Sequence, residues 1–246
     1  MSLAMRDVES SLGSRLIGKR NPISATIRKY ISACQPIGAS HENVDAVTID
    51  EPKGRRADAL RNRAAVLEAA QRLFAEEGLE AQMPDVARAA NVGVGTVYRH
   101  FPRKDDLVAA FVAAHFERIA QKARECLEMA DPWEGICEFI RYSARLQATD
   151  RGLTEVTGTL PELTSAAAEA SGLADLTDQL VKRAQKAGAL RRDLSWEDIP
   201  MIVCGLGPTT QQMTGPATGR WPRLVEIIID GLRAPGSAKL PRPLQD

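Results

Sequence analysis

The sequence lacks the features that would make it a membrane protein, a disulfide scaffold or a recognisable enzyme. No apolar run reaches the roughly 18 residues that a membrane span needs. The four cysteines, Cys34, Cys126, Cys137 and Cys204, stand far apart with no metal-ligand spacing. They read as free thiols in a reducing cytoplasm. There is no glycine-rich phosphate loop, no nucleophile elbow and no His/Cys/acid cluster. His41 and His115 have no acid or thiol paired with them in sequence, and Glu134 and Glu138, one turn apart, read as a solvated helix face. No catalytic residue, no metal ligand and no cofactor is expected, and so no enzyme. Aromatic residues make up only 4%, which leaves the core to Leu, Val, Ile and Ala. Ala-rich segments with few strand-like alternations favour helices.

The chain has 246 residues, 44% hydrophobic and 26% charged, an ordinary balance for one or two globular domains. Its net charge is zero, but the charge is unevenly placed. Between Lys53 and Lys104 there are ten basic against six acidic residues, and from Asp105 to Asp246 sixteen against twenty. Positive potential is therefore concentrated on one short segment, as a phosphate-binding surface requires.

Residues 1–52 show no apolar face that persists beyond two turns, because Ser, Gly, Pro and Asn interrupt every period. They read as a flexible tail without a secretory h-region. Two roles fit it: an arm adding phosphate contacts, or a dispensable extension upstream of the true start. A first helix is expected over about 57–77, with Val66, Leu67, Ala70, Leu73 and Phe74 on one stripe and Gly78 as its left-handed stop. Lys53, Arg55 and Arg56 lead into it, either as a basic arm reaching phosphate or minor groove or as a solvated approach.

Next comes the stretch that organises the chain. Pro84 suits a first helical turn, and Val86, Ala87 and Ala90 give the short helix behind it an apolar face. Asn91-Val92-Gly93 breaks the period as a tight turn would. A second short helix from about Val94 to His100 buries Val97 and Phe101 and leaves Thr96, Tyr98 and Arg99 free. Two short helices, a three-residue turn and small residues opening the second helix make a helix-turn-helix. The run Val86-Ala87-Arg88-Ala89-Ala90-Asn91-Val92-Gly93-Val94-Gly95-Thr96-Val97-Tyr98-Arg99-His100-Phe101-Pro102-Arg103-Lys104 resembles the DNA-binding core of TetR-family regulators. It departs from the family at Asn91, where Gly is usual, and at Gln82-Met83, where a Ser or Thr cap is common. Asn tolerates the left-handed region, so the turn stands; the helix start loses capping support.

Thr96 and Arg99 fall on one helix face and can both enter a major groove, where Arg makes bidentate contacts to guanine. Gly93 and Gly95 permit close approach, and Val94 can touch a thymine methyl. The resemblance implies that Tyr98, His100 and Lys104 contact phosphate, with Pro84, Arg55 and Arg56 completing the candidate DNA interface. The alternative for Tyr98 and His100 is a packed pair that stabilises the short helix.

Downstream, helices are expected over about 104–127, 132–147, 163–186 with a break near Gly172, 196–213 opened by a Ser195/Asp198 capping box, and 221–232, with irregular sequence through Pro161 that has room for one short helix. This gives an all-α chain: a tail (1–52), a three-helix DNA-binding domain with a helix-turn-helix (53–103), a helical effector-binding and dimerisation bundle (104–235) and a loose C-terminal tail (236–246). Candidate ligand-pocket residues are Trp133, Phe139, Tyr142, Leu146, Leu153, Val156, Leu160, Met201, Cys204 and Met213, for each of which plain core packing is the rival reading. The helices over 196–213 and 221–232 match the family's dimerising pair in position. The expectation is a cytoplasmic homodimer with no membrane partner, bound to double-stranded DNA at a palindromic operator. It reads as a repressor released by an unidentified small apolar or amphipathic effector. The competing reading is an effector-blind architectural protein whose bundle only dimerises.

Overall fold

The computed structural model describes residues 53–212, 219–235 and 238–241; the tail over 1–52 and Met213 lie outside the described residues. Helix α1 spans Lys53–Glu77, starting four residues earlier than expected. Arg55 and Arg56 therefore belong to its first turn rather than to an arm ahead of it. Gly78 at φ +76° stops α1 and opens a single 3-10 turn, Gly78–Glu80. Helix α2 is Met83–Ala89, with Pro84 in its first turn and no side-chain cap from Gln82. Asn91 takes φ +55°, the left-handed geometry the helix-turn-helix demands, and α3 follows as Val94–His100.

The long helix α4 is Lys104–Glu128; at its start the Asp106 carboxylate accepts the Arg103 backbone N–H at 3.0 Å. Asp131 accepts from the Trp133 N–H (2.8 Å), and with Pro132 opens α5, Pro132–Thr149. Asp150 then caps a further helix, α6, Arg151–Thr159, by accepting from the Leu153 N–H at 2.9 Å. Pro161 opens α7, Pro161–Ser171, which Gly172 at φ +69° separates from α8, Leu173–Lys186. The segment expected to be irregular apart from a short helix thus contains that helix as α6, and the next helix starts directly at Pro161. Gly152 and Gly158 dilute the summed propensity of α6, and the cap at Asp150 supplies what propensity does not. Helix α9 is Asp198–Gln212, opened by the Ser195 N–H donating to Asp198 Oδ2 at 2.7 Å, and α10 is Trp221–Gly231. Part of the expected loose C-terminal tail is fastened: Arg191 donates to the Ala238 carbonyl, and the Leu240 N–H donates to Asp193 at 2.8 Å.

Among the described residues there is no strand, only an isolated bridge between Leu190 and Arg233, and no helix is long and apolar enough to cross a membrane. The helices bury two apolar cores. One joins α1, α2 and α3 to the first half of α4 and to α6 and α7, through Phe74, Val86, Val97, Phe101, Phe111 and Leu153. The other joins the rest of α4 to α5, α8, α9 and α10, through Ile136, Ile140, Leu180, Ile199 and Val225. The head carrying α3 is therefore packed onto the bundle rather than tethered beside it.

Helix α6 is the closest point of that packing. A Cβ on Gly152 would lie 2.9 Å from both the Cβ and the carbonyl oxygen of Phe74, so only glycine lets α6 reach α1. Gly152→Ala is expected to cost about 1–3 kcal/mol through overpacking, read as a lowered thermal midpoint of an otherwise helical protein. An unchanged midpoint would mean that the two helices can part without loss.

Candidate nucleic-acid interface

Helix α3 is anchored from below. Val97 and Phe101 are fully buried, and the Phe101 N–H donates to the Val97 carbonyl at 2.8 Å. The Arg63 guanidinium, on α1, lies 5.2 Å above the Phe101 ring. What remains faces outward. Val94 is 41% and Tyr98 47% exposed, Gly93, Gly95 and Arg99 are exposed, and Thr96 and His100 are half-buried. A Cβ on Gly95 would meet nothing within 4 Å, so the glycine leaves open space on the outward side. Pro84 is exposed on α2, and Lys104 is half-buried at the start of α4.

The structure thus brings Thr96, Tyr98, Arg99 and His100 onto one short helix, with Lys104 just beyond it. The Arg55 and Arg56 side chains fall outside the described residues. Arg63 and Arg103, counted in the sequence only as charge, prove to flank the same surface. Arg63 sits against Phe101 and Arg103 makes a 3.3 Å ion pair with Asp106; no sequence signal pairs Arg63 with a ring on α3.

Partial burial, then the charges of Arg63 and Arg99, hold the His100 imidazole below its ordinary pKa of 6.5. The fold therefore favours neutral His100. Its contribution to stability is complete above about pH 6.5 and is lost as the pH falls through the lowered folded value. An NMR titration should place its protonation midpoint below 6.5; a midpoint at or above 6.5 would contradict this environment.

Behind the head, the nine described candidate pocket residues, Met213 lying outside the described residues, are spread over both cores and the surface. Leu153 and Val156 belong to the first core and Trp133 and Phe139 to the second, while Leu146, Leu160 and Cys204 are half-buried. Trp133 instead lies under the Arg233 guanidinium at 4.4 Å. Tyr142, with Arg141, Arg145 and Trp221, lines an open groove of about 270 Å³ between α5 and α10. Met201, expected in a cavity wall, is 77% exposed on α9. Position along the chain could not separate the inward from the outward face of a glycine- and proline-containing helix. On α10, Leu224 and Ile227 are also exposed, so both helices carry apolar side chains on their outer surfaces.

Sequence reasoning missed a polar cluster inside the bundle, because its members come from three helices. His115, fully buried on α4, places Nε2 2.7 Å from Asp150 Oδ2. Gln147 and Thr154 are buried beside this pair, with Thr154 Oγ1 donating to the Gln147 carbonyl at 2.8 Å. From the same helix, Glu155 accepts the Leu79 N–H at 2.7 Å and is braced by Arg151 at 2.8 Å. A Cβ on Gly78 would collide with that carboxylate. The first half of helix α6 therefore touches the polar cluster through Thr154 and the head through Gly152 and Glu155.

Comparison with known proteins agrees with this geometry. Residues 66–111 match the model for bacterial regulatory proteins of the tetR family, and residues 131–234 match that for the C-terminal domain of SbtR-like transcriptional regulators. The chain is 33% identical over 184 residues to the HTH-type transcriptional repressor KstR of Rhodococcus jostii, covering 70% of this chain and 85% of that protein. A crystal structure of a TetR transcription regulatory protein from Mycobacterium vanbaalenii is 38% identical, covers 73% of this chain and 99% of its own, and superposes with a TM-score of 0.56. A Streptomyces coelicolor TetR regulator gives the same TM-score at 26% identity, over 72% of this chain and 99% of its own. With the two-helix motif, its left-handed Asn91 and the outward face of α3 in place, the chain belongs to the TetR family of DNA-binding transcription regulators.

Proposed function

We propose that this protein is a homodimeric repressor working in the cytoplasm, held on a palindromic operator by two copies of α3 and released by a small apolar or amphipathic ligand, with no catalytic role. The observation that carries the reading is the outward face of α3. Thr96 and Arg99 lie one turn apart on it, and Arg99 makes no ion pair among the described residues, so its guanidinium is available to a base edge. In this reading Arg99 and Thr96 read bases, with Val94 against a thymine methyl and Gly93 and Gly95 giving clearance. Tyr98, His100, Lys104, Pro84, Arg55 and Arg56 lie against the backbone and fix register. Residues 53–103 act as the reading head and residues 104–235 as the sensing and pairing body. The apolar stripes of α9 and α10 supply the surface that a second copy would cover.

Release follows from the way head and bundle are joined. Helix α4 starts directly after α3, and α6 grips α1 through Gly152 and the 3-10 turn through Glu155. A ligand that shifts α6 or tilts α4 therefore turns the head without touching DNA. Two recognition helices must sit about 34–36 Å apart to enter successive major grooves, so a small rotation is enough. A hundredfold loss of operator affinity requires about 2.7 kcal/mol of preference for the released state, and operator DNA must weaken ligand binding by the same factor.

The test compares two substitutions on specific and random duplexes. Arg99→Ala should cost about 1–3 kcal/mol on the preferred site and relax preference at one base position per half-site. Lys104→Ala should weaken all sequences alike and lower the salt slope by about one. Equal loss on both duplexes for Arg99→Ala would remove its base-reading role.

A further inference from the structure

The polar cluster under α9 is the part of the bundle that core packing does not explain. Ser143, Gln147 and Thr154 are each no more than 6% exposed. They lie among Phe139 and Ile140 on α5, Leu153 on α6 and Val203 and Leu206 on α9, all buried and apolar. Buried polar groups are tolerated when they are hydrogen-bonded, and here the pairing is incomplete. Thr154 spends its hydroxyl proton on carbonyl oxygens of Gln147 and Asp150. The Gln147 amide nitrogen reaches only the Cys204 sulfur, a weak acceptor, at 3.7 Å. Ser143, one turn before Gln147 on the same buried stripe of α5, has a hydroxyl with no partner among the described residues.

The backbone over this cluster is built to yield. Pro208 lies inside α9 and has no N–H to give the Cys204 carbonyl. Gly205 and Gly207 precede it within one turn and further lower helix stability. Helix α9 closes on the cluster as bare backbone: a Cβ on Gly207 would lie 2.9 Å from Thr154 and 3.0 Å from Gln147 Oε1. Moving this one segment outward uncovers the Thr154 and Gln147 polar atoms beneath it, with Cys204 at its edge and Ser143 one turn before Gln147. The charge beside them is negative. Asp150 accepts from Thr154 only through its backbone carbonyl; its carboxylate lies beside the cluster, accepting the Leu153 N–H and facing His115 at 2.7 Å. The Arg118 guanidinium reaches His115 at 2.8 Å from an exposed position, so it offsets Asp150 rather than adding positive charge to the interior.

We propose that Ser143, Gln147, Thr154 and Cys204 form the polar end of the effector site. They select a neutral, mainly apolar molecule carrying one hydroxyl or keto oxygen. That oxygen accepts from Ser143 or Gln147, and the apolar body displaces the Gly205–Pro208 segment. A carboxylate or phosphate finds no unengaged cation among the described residues there, because Arg118 is exposed and set against the His115–Asp150 pair, and it would lose its hydration on entering. The proposal rests on the reading that the bundle takes an effector at all.

The experiment uses the full chain with 1-decanol, 2-decanone and decanoate as probes, followed by calorimetric titration, thermal melts and operator binding. Decanol and decanone should raise the melting temperature and bind at least tenfold more tightly than decanoate. Ser143→Ala should weaken decanol binding at least fivefold, yet leave the melting temperature of the free protein unchanged or higher, because the removed hydroxyl has no partner. Decanoate binding as tightly as decanol, no binding of either neutral probe, or unchanged decanol affinity in Ser143→Ala would overturn the site. Ser143-dependent decanol binding that leaves operator affinity intact would uphold the site and remove the release mechanism. Operator release by a compound indifferent to Ser143→Ala would do the reverse.

Discussion

Phe101→Ala is expected to destabilise the reading head by about 3–5 kcal/mol, the cost of deleting a large buried aromatic side chain, and to abolish operator binding at temperatures where the bundle is still folded. Phe101 is fully buried directly after α3, with Arg63 stacked on its ring, and it belongs to the core that joins α1, α2 and α3 to α4. No other large side chain on α3 except Val97 holds that helix down. Denaturant unfolding followed by circular dichroism, with operator binding measured on the same sample, checks the effect. A variant losing under about 1 kcal/mol, well below the usual cost of such a deletion, would show that α3 is positioned from elsewhere.

The second large effect is expected at Asp150. Asp150→Ala takes the carboxylate partner from a fully buried imidazole, leaving it Arg118 and the Phe111 carbonyl, at about 1–3 kcal/mol, and removes the cap of α6, at about 1 kcal/mol more. Asp150→Asn, whose Oδ1 can still accept the Leu153 N–H while its amide nitrogen donates toward His115, should retain most of the stability. The cost should also travel. Hydrogen exchange is expected to quicken at Leu153, which loses its acceptor, and at Leu79, whose N–H is held by Glu155 from the same helix. Faster exchange at Leu153 alone would mean that α6 does not connect the bundle to the head.

These two sites mark how far the sequence could be read. The head was legible because its determinants are local. Pro84, the Asn91 turn and the Val97/Phe101 spacing act within a few residues of one another, and the structure places α3 at Val94–His100 as that spacing predicts. Helix stops at Gly78 and Gly172 were legible for the same reason, and each takes positive φ. The bundle interior was not. His115 meets Asp150, and Gln147 meets Cys204, only once α4, α5, α6 and α9 have packed. Large apolar residues such as Met201 carry no sign of which side of their helix they occupy. Periodicity finds faces; it does not say which face meets which.

The most direct measurement of the account is selection of bound duplexes from a random DNA pool by the full chain, followed by sequencing. The account predicts a palindromic consensus whose half-sites are centred about one helical turn apart, roughly 10–10.5 base pairs, and an Arg99→Ala selection that loses one base position in each half. An unenriched pool, or a consensus without two-fold symmetry, would contradict it.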